Sequence, residues 1–151
     1  MSNYLNYLEE STNIVKSKKK LSEIITLIAY LAIWTIALIF FWLDNTFGYG
    51  DGMVFGLLVF WLILPVSTFT VSALAGRNSF WGKLRWFSPL LFGIMYMLAD
   101  YGTYRLANSI AFNKINVPDF SLFLVGTTIS LVGLLLGYAF KLIRERKALS
   151  T

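Results

Sequence analysis

The chain has 151 residues, enough for one compact unit; 57% are hydrophobic and 14% charged, the net charge is +5, and the mean hydropathy is +0.65. A water-soluble domain of this size has too little interior to hide that much apolar surface, so the composition points to lipid as the solvent. Cys and His are both absent, which excludes disulfides, thiolate metal sites, cysteine nucleophiles and imidazole general bases.

Residues 1–20 form a polar lead-in. Tyr4, Leu5, Leu8 and Val15 recur at roughly helical spacing, and Lys16, Lys18, Lys19 and Lys20 follow. One reading is a short interfacial helix with a polybasic collar on anionic lipid. The other is a topology signal behind a loosely ordered tail. The apolar run after it is too long for a cleaved signal and has no small-residue cleavage site behind it. It is expected to stay as the first span, over 21–43. It closes on Phe40, Phe41 and Trp42, an aromatic belt suited to a lipid–water boundary. Glu23 at its entrance is within reach of the lysines.

The stretch 44–51 (DNTFGYGD) has the Asn, Asp and Gly residues of a tight reversal. The second span is predicted over 53–75. Gly52 and Gly56, four apart at its start, are candidate packing positions. Pro65 removes one backbone hydrogen bond in mid-span. Ser67, Thr68, Thr70 and Ser72 follow it, with hydroxyls able to satisfy the freed carbonyls. The loop 76–85 (GRNSFWGKLR) is basic, and Trp81 and Trp86 complete a cationic and aromatic interface collar.

The third span, 86–112, reads WFSPLLFGIMYMLADYGTYRLANSIAF. It is long enough to cross a bilayer, yet it carries Asp100 and Arg105 away from its ends. Helical spacing aligns Gly93, Met97, Asp100, Tyr104 and Ala107 on one stripe that faces other helices or a partner. A carboxylate within the hydrocarbon costs about 2.5–3.5 kcal/mol, so Asp100 should be paired or protonated. Tyr104, one turn on, is the nearest donor. Arg105 is five residues on, ~140° round an α-helix, and must bend back to pair. Tyr96 and Thr103 add hydroxyls. These five residues make either an outward-opening polar pocket, with Asp100 as a proton, cation or partner site, or a buried hydrogen-bonded group that locks helix packing.

The turn 113–119 (NKINVPD) leads into a fourth span over 120–143 and a basic tail over 144–151. Gly126, Ser130, Gly133 and Gly137 make one small-residue stripe containing a GxxxG, the pattern of close helix contact. Its partner is the chain's own first or third helix or another protein. Leu124, Ile129, Leu131, Leu135 and Leu142 on the other face are assigned to lipid. Trp34 and Trp61, within spans, either line a cavity or fill the apolar surround.

Eleven of the thirteen Lys and Arg residues lie in the lead-in, the second loop and the C-terminal end counted from Lys141; the other two turns hold Lys114 alone. That bias puts both termini in the cytoplasm and Asp44, Asp51 and Asp119 outside. The fold class is an all-α integral membrane protein, multi-pass in the plasma membrane: a four-transmembrane-helix bundle of two hairpins, N-in and C-in.

Three functions fit. The first is a non-enzymatic subunit or accessory of a membrane complex, acting by helix packing. The second is an oligomeric carrier, channel or lipid-handling protein with Asp100 in its polar pocket. The third is an outer-leaflet lipid-modifying enzyme that gathers Asp44, Asp51, Asp100, Arg105 and Asp119 round a divalent cation. The first is favoured, with no catalytic residue, metal or cofactor. Its partners are the lipid bilayer and another membrane protein or a second copy. The basic residues sit where topology requires them, so nucleic acid is not expected.

Overall fold

A computed structural model of the chain describes residues 2–47 and 52–149; the side chains of 2–8, 45, 47, 52 and 53 fall outside the description. Most of the expected turn's tip, Asp51 included, and the surroundings of Gly52 therefore lie outside the described residues.

All described elements are helical. Helix α1 is Ser2–Phe47. Helix α2 covers 52–78 and consists of Gly52–Leu58, a π-turn Val59–Ile63, and Leu64–Asn78. A 3-10 turn, Gly82–Phe87, precedes α3, which covers 88–112 as Ser88–Asp100, a π-turn Tyr101–Arg105, and Leu106–Phe112. Helix α4 is Phe120–Leu149. Three segments among the described residues are long and apolar enough to cross a membrane: Glu9–Asp44, Val54–Asn78 and Phe120–Leu149. Helix α3 is not among them, because Asp100, Arg105 and three tyrosines interrupt its apolar run.

The lead-in is not a separate element. From Ser2 to Phe47 there is no Gly and no Pro to break the ladder, and Lys and Glu are good helix formers. The helix therefore runs through Lys16, Lys18, Lys19 and Lys20 straight into the apolar stretch.

Helix α4 is the central one, packed closely on both α2 and α3. It runs parallel to α2 and antiparallel to α3. Gly126, Ser130, Gly133 and Gly137 are buried on the faces it turns to them. A Cβ at Gly133 would stand 2.6 Å from the Phe69 carbonyl oxygen, and one at Gly137 would stand 2.0 Å from that of Ala73. One at Gly126 would stand 2.6 Å from the Cβ of Tyr96. Ser130 meets Ser72 of α2 at 2.7 Å, hydroxyl to hydroxyl. The stripe is thus used within the chain, on α2 and α3 rather than on α1. Ile129, assigned to lipid, is half-buried against the core of Ala37, Val59, Leu64, Tyr96 and Ala99. Leu124, Leu131, Leu135 and Leu142 are exposed.

Helix α1 lies across α2 and α3 as an outer member. Tyr30 packs edge-on to Phe92 at 4.8 Å and meets the Thr68 hydroxyl at 3.3 Å. The Trp34 indole donates to the Met95 carbonyl at 2.9 Å, while Trp61 is 79% exposed. The two tryptophans therefore share no cavity.

The π-turns explain how the bundle is pinned. At the first, the Leu64 N–H reaches back to the Val59 carbonyl, and Pro65 has no N–H to give. The Phe60 carbonyl is passed over, and the Tyr96 hydroxyl of α3 donates to it. The hydroxyls downstream of Pro65 serve elsewhere: Ser67 donates to the Leu64 carbonyl at 3.0 Å, while Thr68 and Ser72 bond across helices. At the second π-turn the Leu106 N–H bonds the carbonyls of Tyr101 and Thr103 and passes over Gly102. The Trp42 indole of α1 donates to that Gly102 carbonyl at 2.9 Å. Each wide turn frees one carbonyl, and an aromatic donor from a neighbouring helix takes it up. Trp42 is half-buried for this reason, and Phe41 is buried against Phe55 and Tyr104; only Phe40 of the expected belt remains well exposed.

Candidate functional site

Asp100 closes the first part of α3, and the π-turn Tyr101–Arg105 follows at once. In an α-helix a residue five on points well away from the first. A π-turn closes i→i+5 hydrogen bonds, so it brings that residue back over the same face. Arg105 Nε accordingly donates to Asp100 Oδ2 at 2.9 Å. The other guanidinium nitrogens donate to Asp119 Oδ2 at 2.6 Å and to the Val117 carbonyl at 3.1 Å. One planar cation thus spans two carboxylates, one on α3 and one at the start of α4. The Asp100 side chain is 16% exposed, Arg105 31% and Asp119 37%, so the cluster opens to its surroundings on the Asp119 side.

Asp119 also begins α4. Its Oδ1 accepts the Ser121 N–H at 2.9 Å and the Ser121 hydroxyl at 2.6 Å, an N-cap arrangement. These two hydrogen bonds hold its carboxyl below the usual aspartate value; desolvation opposes them more weakly, and the Arg105 charge adds a still smaller lowering. The turn folds back over the end of α3. Asn113 adopts the left-handed conformation, φ 49°, and ends the helix. The Asn116 side-chain amide donates to the Arg105 carbonyl at 3.2 Å and to the Ser109 hydroxyl at 3.1 Å. The Ser109 hydroxyl donates to the same Arg105 carbonyl at 2.8 Å.

The five residues expected to line one pocket are dispersed. Asp100 and Arg105 meet. The Tyr104 ring packs 5.0 Å from Phe41 and 5.9 Å from Phe60, and its hydroxyl lies over Gly56, where a Cβ would stand 2.7 Å away. Tyr96 serves the Phe60 carbonyl, and the buried Thr103 hydroxyl donates to the Ala99 carbonyl of its own helix at 2.7 Å. Among the described residues no group of three or more acidic side chains could hold a metal ion, so Asp44, Asp100 and Asp119 are not gathered into one; Asp51, the remaining acid of that expected set, lies outside the described residues. Asp119, which the enzyme reading gathers with Asp100 and Arg105, does join them; Ser121, Ser109 and Asn116 complete the cluster, and spacing alone did not single out these three. The signal was present in Asp119 followed two residues later by Ser121, a helix start after Pro118.

At the basic end Ser79 and Trp81 take left-handed conformations, φ 53° and 55°. The Ser79 hydroxyl accepts from Arg85 at 2.9 Å and from Lys141 at 2.8 Å. The Arg85 guanidinium lies 4.8 Å from the Tyr138 ring centre. Glu23 accepts the Trp81 backbone N–H at 3.3 Å, so it ties α1 to this turn instead of serving the lysines alone. Trp81 is half-buried, whereas Trp86 and the four lysines of α1 are exposed. Set against known proteins, the chain matches no family model, no curated protein and no solved structure.

Proposed function

We propose that the chain is a four-crossing plasma-membrane protein with both termini cytoplasmic, acting without catalysis as an accessory subunit that binds a membrane partner through α1. The eleven-to-one distribution of Lys and Arg between the two ends of the bundle, Lys141 counted with the basic end, supports the orientation. The fourth crossing is α3. Its close antiparallel packing on α4 and the pairing of Asp100 with Arg105 make its polar groups tolerable in lipid.

The observation that carries the reading is α1 itself. Its 46 residues in one helix extend roughly 69 Å at ~1.5 Å each, more than twice a hydrocarbon core of ~30 Å. Only 17% of its apolar window is buried, against 28% in each of the other two. It therefore stands out of the membrane on the lysine side and offers Ile28, Ile36 and Ile39 along its crossing. The α4 stripe, the other candidate surface, is occupied within the chain. The Asp100 cluster supports a clamp more than a transport path, since its guanidinium already spans both carboxylates.

The test is photo-crosslinking in intact membranes from Ile28 and Ile36, compared with Leu131 and Leu135 on the outer face of α4. The α1 positions should yield one discrete protein adduct and the α4 positions lipid adducts only. An even pattern over both helices would overturn the reading.

A further inference from the structure

We infer that the cleft between α1 and α2 binds an anionic phospholipid, its phosphate in a basic cavity at the mouth and an acyl chain in the apolar groove beneath. A cavity of about 400 Å³ lies at the lysine end. Lys19 of α1, Arg77 at the end of α2, and Lys141 and Arg144 of α4 all line it. Lys141 is engaged by Glu145 at 3.6 Å and by Ser79. Lys19, Arg77 and Arg144 make no ion pair among the described residues. Three cations from three helices thus converge on one hollow whose single lining carboxylate, Glu145, is paired with Lys141, leaving the lining with a net positive charge. A second hollow, about 480 Å³, shares Arg77 and Arg144 and extends the basic surface to Lys147.

A groove of about 520 Å³ runs between α1 and α2, lined on one side by Ile25, Ala29 and Ile33 and on the other by Val66, Thr70 and Leu74. Cavity and groove lie on one continuous face. Ser22 in the cavity is three residues from Ile25 in the groove, and Arg77 is three residues from Leu74. Helical geometry places such pairs one above the other.

The occupant follows from both halves. A guanidinium fork matches phosphate oxygens, and two unpaired arginines with a lysine call for an anion. Free phosphate would use the cavity and leave the groove empty. A zwitterionic lipid would fill the groove but bring its own cation to the basic mouth. An anionic phospholipid satisfies both. This inference concerns a lipid and does not depend on α1 having a protein partner.

The experiment is native mass spectrometry of the full chain in a mild non-ionic detergent. The probes are phosphatidylglycerol, phosphatidylcholine with the same acyl chains, and glycerol 3-phosphate as the headgroup without chains. The expected result is one retained phosphatidylglycerol under conditions that strip the other two. Arg77→Gln with Arg144→Gln should lower that retention about tenfold or more, since both remove a charge that attracts the anionic headgroup. Lys83→Gln, basic but outside the cavity, should leave it unchanged. Ala29→Trp should lower it by obstructing the groove. If the double arginine variant does not purify, Lys19→Gln alone and Ala29→Trp alone test the two halves separately. Equal retention of phosphatidylcholine, equal retention of glycerol 3-phosphate, a lipid-free dimer, or indifference to the arginine, Lys19 and Ala29 variants would each overturn the proposal.

Discussion

A single guanidinium joins the far ends of α3 and α4, with Arg105 2.9 Å from Asp100 and 2.6 Å from Asp119. Arg105→Leu would leave Asp100 without a counter-ion in a largely covered place. The loss should be about 2 kcal/mol, the scale of a charged hydrogen bond. It is readable as a lowered thermal midpoint in detergent. Arg105→Lys should restore little, because an ammonium cannot fork between two carboxylates. Asp119 adds a pH dependence. Its carboxyl is lowered first by the Ser121 hydrogen bonds and then by Arg105. The folded state therefore takes up this proton less readily than the unfolded one. The contact is fully stabilising above the ordinary aspartate value and is lost as pH falls through the lowered one. The thermal midpoint should drop across that acid range, and Asp119→Asn should flatten that part of the profile.

At the scale of elements, glycine positions grade by what their missing side chain would strike. At Gly137 the obstacle is backbone, the Ala73 carbonyl oxygen at 2.0 Å. Gly137→Ala should push α2 from α4 and cost roughly 1–3 kcal/mol, as overpacking does. At Gly56 the nearest atom is the Tyr104 hydroxyl, the end of a side chain, so Gly56→Ala should be milder. Leu135→Ala, on the exposed face, should change the midpoint least. The α4 stripe was legible in the sequence because its period is that of a plain α-helix. Its contact with α2 was not, since Phe69 and Ala73 offer backbone to the glycines and carry no pattern of their own. The π-turns were not legible either. Each is completed by a donor distant in sequence, Tyr96 for Phe60 and Trp42 for Gly102, so no local window contains the cause. That gap also put Tyr104 ahead of Arg105 as the partner of Asp100, since α-helical spacing places Arg105 on a different face and the pair then needs a bent side chain.

For the whole molecule the basic residues predict the orientation. A cysteine at Lys83 should react with an impermeant reagent only from the cytoplasmic side, and one at the exposed Ile115 only from outside. Labelling of the Lys83 position in intact cells would reverse the topology. The second π-turn has a further consequence, for changes of chain length. A π-turn is in effect one residue inserted into an α-helix. Deleting Gly102 should let the ladder close normally, with the arginine then four residues after Asp100 and still on its face. The clamp to α4 would survive in a shorter protein. The vacant carbonyl would vanish, and with it the anchor for the Trp42 indole. Such a deletion should loosen the Trp42 end of α1 selectively, seen as faster hydrogen exchange there while α3, α4 and the part of α1 held by Tyr30 and Trp34 stay protected. This fold therefore carries a spare residue whose removal would free one end of one helix and leave the rest of the bundle in place.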